Sequence, residues 1–261
     1  MAFVITELAG TVAVVTGAGG GIGAALARQF ACEGTQLVLA DIDEAAMSRT
    51  ATNLRRNYDA TVHTVPTDVT DAEAVDLLAA ATIERFGRVD VVCNNAGIVA
   101  GGPAWSISLE DWRRVIDVDL WGVVNGVRSF VPILLTQPGP TYVVNVASMA
   151  GVVPYAGIAP YVVAKHGVVA LSEVLARDLE EVGANVGVSV ICPGYVPSYL
   201  GLQDRSGDIP DPQPGAPSAD DVASAVRDAI ATDRFYVFTH SGSQREVRSH
   251  VDAVTNGAAN D

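Results

Sequence analysis

Short runs of β-branched and aliphatic residues alternate with longer stretches of helical periodicity along the whole 261-residue chain. The runs are Thr11 to Thr16, Gln36 to Ala40, Thr61 to Pro66, Val89 to Cys93, Thr141 to Val146, Val186 to Cys192 and Phe235 to Thr239. Between them, apolar positions recur at helical spacing over roughly Ile22 to Glu33, Glu44 to Asn57, Asp71 to Phe86, Leu109 to Leu135, Tyr161 to Val182 and Ala219 to Thr232. The runs are almost continuously apolar, which predicts strands buried on both faces. Their alternation with helices predicts a parallel sheet. The expectation is an α/β chain, a doubly wound parallel sheet of about seven strands with helices on both faces. The last run is the seventh strand, and Ser243 to Val254 reads as a terminal helix with residues 255–261 frayed. No break in composition divides residues 1–261, so a single domain is expected.

Composition narrows the partners. Apolar residues make up 49% of the chain, enough for buried strands and a large core. The formal charge is -14 and the pI is near 4.5, a surface that repels phosphate backbones and argues against nucleic acid as a partner. The first basic residue is Arg28 and no apolar run approaches membrane-spanning length, so neither a signal peptide nor a membrane span is expected and the chain reads as cytoplasmic. Cys32, Cys93 and Cys192 are scattered in or beside apolar stretches, and the four histidines have no ligand-like spacing. No metal site is expected.

The turn after the first strand is Thr16-Gly17-Ala18-Gly19-Gly20-Gly21-Ile22-Gly23. Glycines there let backbone N–H groups approach a pyrophosphate, and the following helix N-terminus adds a favourable dipole. A glycine-rich loop alone is weak evidence, but this one lies between a strand and a helix, and Asp41 follows the second strand. Asp41 can accept both ribose hydroxyls of an adenosine and would repel a 2′-phosphate, which favours NAD over NADP. It could also cap the next helix, although Asp43 is better placed for that. Asp68-Val69 after the third strand could accept from an adenine amino group and pack on the ring. Capping through Thr70 or Asp71 competes equally. Asn94-Asn95-Ala96-Gly97, at the end of the fourth strand, would line a dinucleotide crevice or simply form an Asx turn.

Tyr161-x-x-x-Lys165 places a phenol and an ammonium on one helix face, with Pro160 opening the helix. A neighbouring cation lowers a phenol that otherwise titrates at about 10, as a proton-transferring tyrosine near neutral pH requires. Lys165 is the only lysine in the chain, against fifteen arginines. A flexible ammonium can contact both a phenol and a ribose diol, which a planar guanidinium cannot. A solvated surface pair is the plain alternative. Ser148 closes the fifth strand run at the carboxyl edge of the sheet, where it can meet Tyr161.

Taken together, Thr16-Gly-x-x-x-Gly21-x-Gly23, Asn94-Asn95-Ala96-Gly97, Ser148, Tyr161-x-x-x-Lys165 and Pro193-Gly194 resemble, in order and interval, the motifs of the classical short-chain dehydrogenase/reductase family over roughly residues 8 to 200. The resemblance implies a Rossmann-type sheet, a nicotinamide cofactor, hydride exchange with a secondary alcohol or ketone, and a homo-oligomer, tetramer or dimer. It implies Ser148, Tyr161 and Lys165 as catalytic residues. For NAD it implies Gly17, Gly21, Ile22, Gly23, Asp41, Asp68, Val69, Asn95, Ala96, Gly97, Tyr161, Lys165, Pro193, Gly194, Val196 and Ser198. Enoyl reduction, or dehydratase or epimerase chemistry, is the alternative enzyme reading. A dinucleotide-binding protein without catalysis is the other alternative.

Two features depart from the family pattern. Asp119 stands where relatives usually carry an asparagine that helps hold a water linking the lysine to solvent. A charged Asp119 would pair with Lys165. The tail after Phe235 also lacks the usual element, which puts the standard tetramer interface in doubt. Residues 197–217, with five of the thirteen prolines, correspond to the substrate lid. Val99, Trp105, Met149, Tyr155 and Leu200 could line an apolar pocket or belong to the core.

Overall fold

The computed structural model describes residues 4–197 and 216–257. Seven strands form one sheet: β1 Val12–Thr16, β2 Gln36–Asp41, β3 Val62–Pro66, β4 Val91–Asn94, β5 Thr141–Val146, β6 Val186–Cys192 and β7 Tyr236–Phe238, in the order β3-β2-β1-β4-β5-β6-β7. Every neighbouring pair is parallel, as the apolar runs require. The helices are α1 Gly21–Cys32, α2 Glu44–Tyr58, α3 Ala72–Phe86, α4 Leu109–Ile116, α5 Gly122–Leu134, α6 Ala159–Glu181, α7 Ala219–Thr232 and α8 Ser243–Thr255. Among the described residues, no helix is long and apolar enough to cross a membrane.

Two cores follow from burying both faces of the strands. Alternate residues of β1 divide between them. Ala13 and Val15 face α1, α2 and α7, where Leu26, Phe30, Leu54 and Ile230 pack. Val12 and Val14 face α3, α5 and α6, through Leu78, Phe130 and Leu179. Side chains just ahead of α2, α3, α4 and α7 cap these helix starts. Asp43 accepts from the Ala46 N–H at 2.9 Å, the expected cap of α2, and Ser218 and Asp221 form a reciprocal capping box at α7.

The stretch Leu109 to Leu135 is not one continuous α-helix. Asp117–Trp121 forms a wide π-helical turn between α4 and α5. Apolar periodicity follows which face is buried and is blind to a locally widened turn, which carries Asp119 into the interior. The terminal helix runs Ser243–Thr255, so Thr255 is helical, and residues 258–261 lie outside the described residues.

Asp90 holds the seam between β1 and β4. Its carboxylate accepts from the Val12 N–H at 2.8 Å and pairs with Arg88 while only 1% of the residue is exposed. Asp90→Ala leaves that N–H without its partner, and an expected loss of about 1–3 kcal/mol should appear in denaturant unfolding as a lower midpoint at unchanged slope.

Candidate active site

The strand order reverses between β1 and β4, so the loops that follow these two strands flank a crevice at the carboxyl edge of the sheet. The loop after β1 is compressed against the loop after β4. Gly17 has φ +66°, and a Cβ there would lie 2.9 Å from the Ala96 Cα. A Cβ on Gly23, at the start of α1, would overlap the Gly17 carbonyl oxygen. Thr16 and Asn95 fasten the two loops together. The Thr16 hydroxyl accepts from the Asn95 and Ala96 N–H groups at 2.9 and 3.1 Å, and the Asn95 side-chain amide donates to the Thr16 carbonyl at 2.8 Å. No side chain caps α1, whose N-cap is Gly20, so its first N–H groups face the crevice as an anion site. Glycine backbone, helix dipole and lack of side-chain bulk fit a dinucleotide pyrophosphate.

Asp41 ends β2 beside this loop, 3% exposed. One carboxylate oxygen accepts from the Gly19 N–H at 2.8 Å and the other from the Asp43 N–H at 2.9 Å. The acid therefore shapes the glycine loop as well as bordering the crevice. Asp68 accepts from the Thr70 N–H and hydroxyl, while Asp71 caps α3, so of the competing readings the turn is present through Asp68 and the cap through its neighbour. Val69 is buried, with its carbonyl accepting from the Asn125 amide at 2.9 Å and its side chain tight against Gly122.

Across the crevice, β5 and β6 bring the catalytic candidates together. The Met149 N–H donates to the Pro193 carbonyl at 2.8 Å, which holds the Pro193-Gly194 turn beside Ser148. Ser148 opens a single turn of 3₁₀ helix, Met149–Gly151, its hydroxyl accepting from the Ala150 N–H at 3.1 Å. Helix α6 begins at Ala159 with Pro160 in its first turn, and Tyr161 and Lys165 follow one turn apart. The Lys165 ammonium lies 5.5 Å from the Tyr161 ring centroid, and the Ser148 hydroxyl, which donates to the Pro193 carbonyl at 3.5 Å, is a neighbour that draws the phenol down. Both Tyr161 and Lys165 are buried, which removes the solvated surface pair as a description of the motif. Gly21 and Ile22 open α1 at this crevice, and Ala96, Gly97 and Val196 lie on the loops around it. Ser198 and Leu200 lie outside the described residues.

The electrostatics differ from the simplest expectation. Burial pushes the Tyr161 phenol up; Lys165 and the nearby Ser148 hydroxyl only partly oppose it, and Asp119 adds a negative charge that raises it further. Asp119 is fully buried. One of its oxygens accepts from the Ile98 N–H at 2.8 Å; the other lies 3.1 Å from the Lys165 ammonium, as an ion pair rather than an aligned hydrogen bond. Lys165 instead donates to the Val146 carbonyl at 3.1 Å. Gly97 makes room for the pair, since a Cβ there would sit 3.1 Å from the nearer Asp119 oxygen.

Residues 11–207 match the short chain dehydrogenase family. The chain belongs to that family. This short-chain dehydrogenase is 42% identical over 246 residues to the 1-deoxy-11-beta-hydroxypentalenate dehydrogenase of Streptomyces exfoliatus, covering 93% of this chain and 87% of the relative. It is 39% identical over 189 residues to the meso-2,3-butanediol dehydrogenase of Serratia marcescens, covering 72% of each. A crystal structure of a short-chain dehydrogenase/reductase from Burkholderia phymatum in complex with NAD superposes with TM-score 0.89 at 38% identity, covering 98% of this chain and 99% of the other.

The tail of the dehydrogenase contributes residues with no local sequence signal. The His240 ring lies against Gly194, where a Cβ would come within 2.6 Å of its Nδ1, and the Ser243 hydroxyl sits 2.9 Å from that nitrogen. Glu246 of α8 approaches His240 at 3.7 Å and accepts from the Tyr155 hydroxyl at 2.6 Å. The tail is thereby tied both to the turn at Pro193-Gly194 and to the loop that follows Ser148. Of the pocket candidates, Met149 is core, Trp105 is 90% exposed, and Val99 packs with the cluster that contains Tyr161.

Proposed function

We propose that this dehydrogenase interconverts a small or medium, largely apolar secondary alcohol and its ketone with NAD(H), using Tyr161 for proton transfer. The observation that carries the reading is the convergence of Ser148, Tyr161 and Lys165, from β5 and α6, on the carboxyl edge of the sheet beside the Pro193-Gly194 turn. NAD, when bound, supplies the hydride acceptor. Ser148 orients the alcohol oxygen, and Tyr161 as phenolate accepts its proton; in ketone reduction Tyr161 donates it back. Lys165 provides the positive field and would contact the ribose of the bound cofactor. Gly17, Gly21, Ile22 and Gly23 would hold the pyrophosphate, Asp41 the adenosine ribose, Asp68 and Val69 the adenine, Asn95, Ala96 and Gly97 the middle of the crevice, and Pro193, Gly194, Val196 and Ser198 the nicotinamide end. The hydroxylated substrates in the names of the two curated relatives, and the NAD in the Burkholderia structure, support this choice.

Cofactor preference and assembly belong to the same proposal. The buried Asp41 carboxylate opposes a 2′-phosphate, so Asp41→Ala should narrow the ratio of NAD to NADP efficiency by about tenfold or more, equivalent to about 1.4 kcal/mol. Steady-state rates with both cofactors check this. Val163 and Val174, three helical turns apart on α6, Leu109 at the start of α4 and Trp121 at the end of the widened turn are exposed apolar residues that suit self-association as a dimer or tetramer. Absence of a membrane-length helix among the described residues is compatible with a cytoplasmic enzyme.

The deciding experiment follows NADH formation and consumption with a panel of secondary alcohols and ketones. Turnover of a saturated alcohol with NAD supports the proposal. Turnover confined to conjugated enoyl substrates would overturn it.

A further inference from the structure

We propose that Asp119 is a positioning residue, whose buried carboxylate keeps the Lys165 ammonium charged and in place beside Tyr161. The inference rests on the alcohol–ketone reading above, and its principal test is independent of it. The two oxygens of Asp119 have separate partners. One accepts from the Ile98 N–H at 2.8 Å, a bond an asparagine carbonyl would make equally well. The other stands 3.1 Å from the Lys165 ammonium, where an asparagine would present an N–H₂ group to a cation. Holding the loop after β4 therefore requires only an amide. Facing the ammonium requires the charge.

Lys165 needs that charge because it is 2% exposed, and the Val146 carbonyl is its hydrogen-bond acceptor on the protein. A lysine buried without a counter-ion gives up its proton readily, in documented cases with a pKa of about 5–6. Burial works in that direction on Lys165, but Asp119, with Tyr161, outweighs it and holds the ammonium above its ordinary range. Burial likewise raises Asp119, opposed by Lys165 and the Ile98 N–H. The other titratable group facing the pair is Tyr161, from α6, which in turn has Cys192, at the end of β6, as its neighbour. Burial pushes the Cys192 thiol up to about 12, so it brings no charge. The widened turn Asp117–Trp121 and the missing side chain at Gly97 are what admit the carboxylate at this distance.

The sole lysine makes the test direct. Protein labelled with ¹³C at the lysine ε carbon gives one lysine signal, which can be titrated without cofactor or substrate. In the wild type this signal should stay at its ammonium position up to about pH 10, near the ordinary lysine value. In Asp119→Asn it should titrate at least about one unit lower. Identical titrations in the two proteins would overturn the proposal. If Asp119→Asn does not fold, the wild type still decides: an ammonium that persists up to about pH 10 supports the proposal, and a midpoint near the value of about 5–6 of a lysine buried without a counter-ion overturns it. In turnover, the Asn variant should lose activity on the alkaline side at a lower pH than wild type, as the ammonium discharges. A merely structural role for Asp119 would lower the rate without moving the profile. The NMR outcome stands whatever the substrate panel shows, so the two readings fail separately.

Discussion

Tyr161→Phe is expected to reduce turnover by a factor of about 10² to 10⁴ while NADH still binds within a few-fold of wild type. Phenylalanine fills the same space on α6, and the substitution removes one oxygen. The residue is only 8% exposed and packs with Val115, Ala150 and Ala164, so the ring's contribution to the core is kept. What is lost is the proton carrier, whereas the Lys165–Asp119 pair and the Lys165 bond to Val146 do not involve the phenol oxygen. Kinetics on the best substrate of the panel, beside a fluorescence titration with NADH, separates the outcomes. A rate within tenfold of wild type would remove Tyr161 from the catalytic role, and a parallel loss of NADH binding would make it a structural residue.

Gly23→Ala should be the most damaging single methyl group in the crevice. The added Cβ would overlap the Gly17 carbonyl oxygen and lie 2.7 Å from the Asn95 side-chain nitrogen. Neither neighbour can swing aside cheaply, since one is backbone and the other is tethered to Thr16 at 2.8 Å. The loop must shift as a unit, at an overpacking cost of about 1–3 kcal/mol, and its N–H groups then no longer converge on one anion. Thermal unfolding should show the destabilisation, and NADH affinity should fall by at least tenfold, about 1.4 kcal/mol. An unchanged NADH affinity in the folded variant would show that the pyrophosphate lies elsewhere.

The strands and most helices were legible because burial on both faces and amphipathic periodicity are local properties of the chain. The run Gln36 to Ala40 differs from β2 by one residue, and Asp43 caps α2 as its position before Glu44 suggested. The motif residues of the site were legible too, since Gly17, Gly23, Ser148, Tyr161 and Lys165 sit on turns and helix starts whose geometry their own neighbours determine. What was not legible depends on partners far along the chain. The continuous helix expected over Leu109 to Leu135 is interrupted at Asp117–Trp121, because the inward course of Asp119 is set by Lys165 and Ile98. The phenol was expected to be lowered by its lysine neighbour, and burial depth, which sequence spacing does not report, reverses the net direction. The contacts of Glu246 with Tyr155 and His240 join segments that no periodicity connects.

The crossing of the chain from β3 back to β1 has a consequence for how the protein is made. Strands β1, β2 and β3 pair through neighbours close in sequence, whereas β4 must return over the edge of β1, pairing Val91 with Ala13. Closing that long loop is the slow step expected of a sheet with distant pairings. Thr16 can meet Asn95 only after it closes. On a ribosome the first three strands emerge before β4 exists, so the nascent chain passes through a stage with a glycine loop but no crevice. Newly made protein would thus acquire cofactor affinity in one late event, and cofactor would capture chains that have completed the crossing.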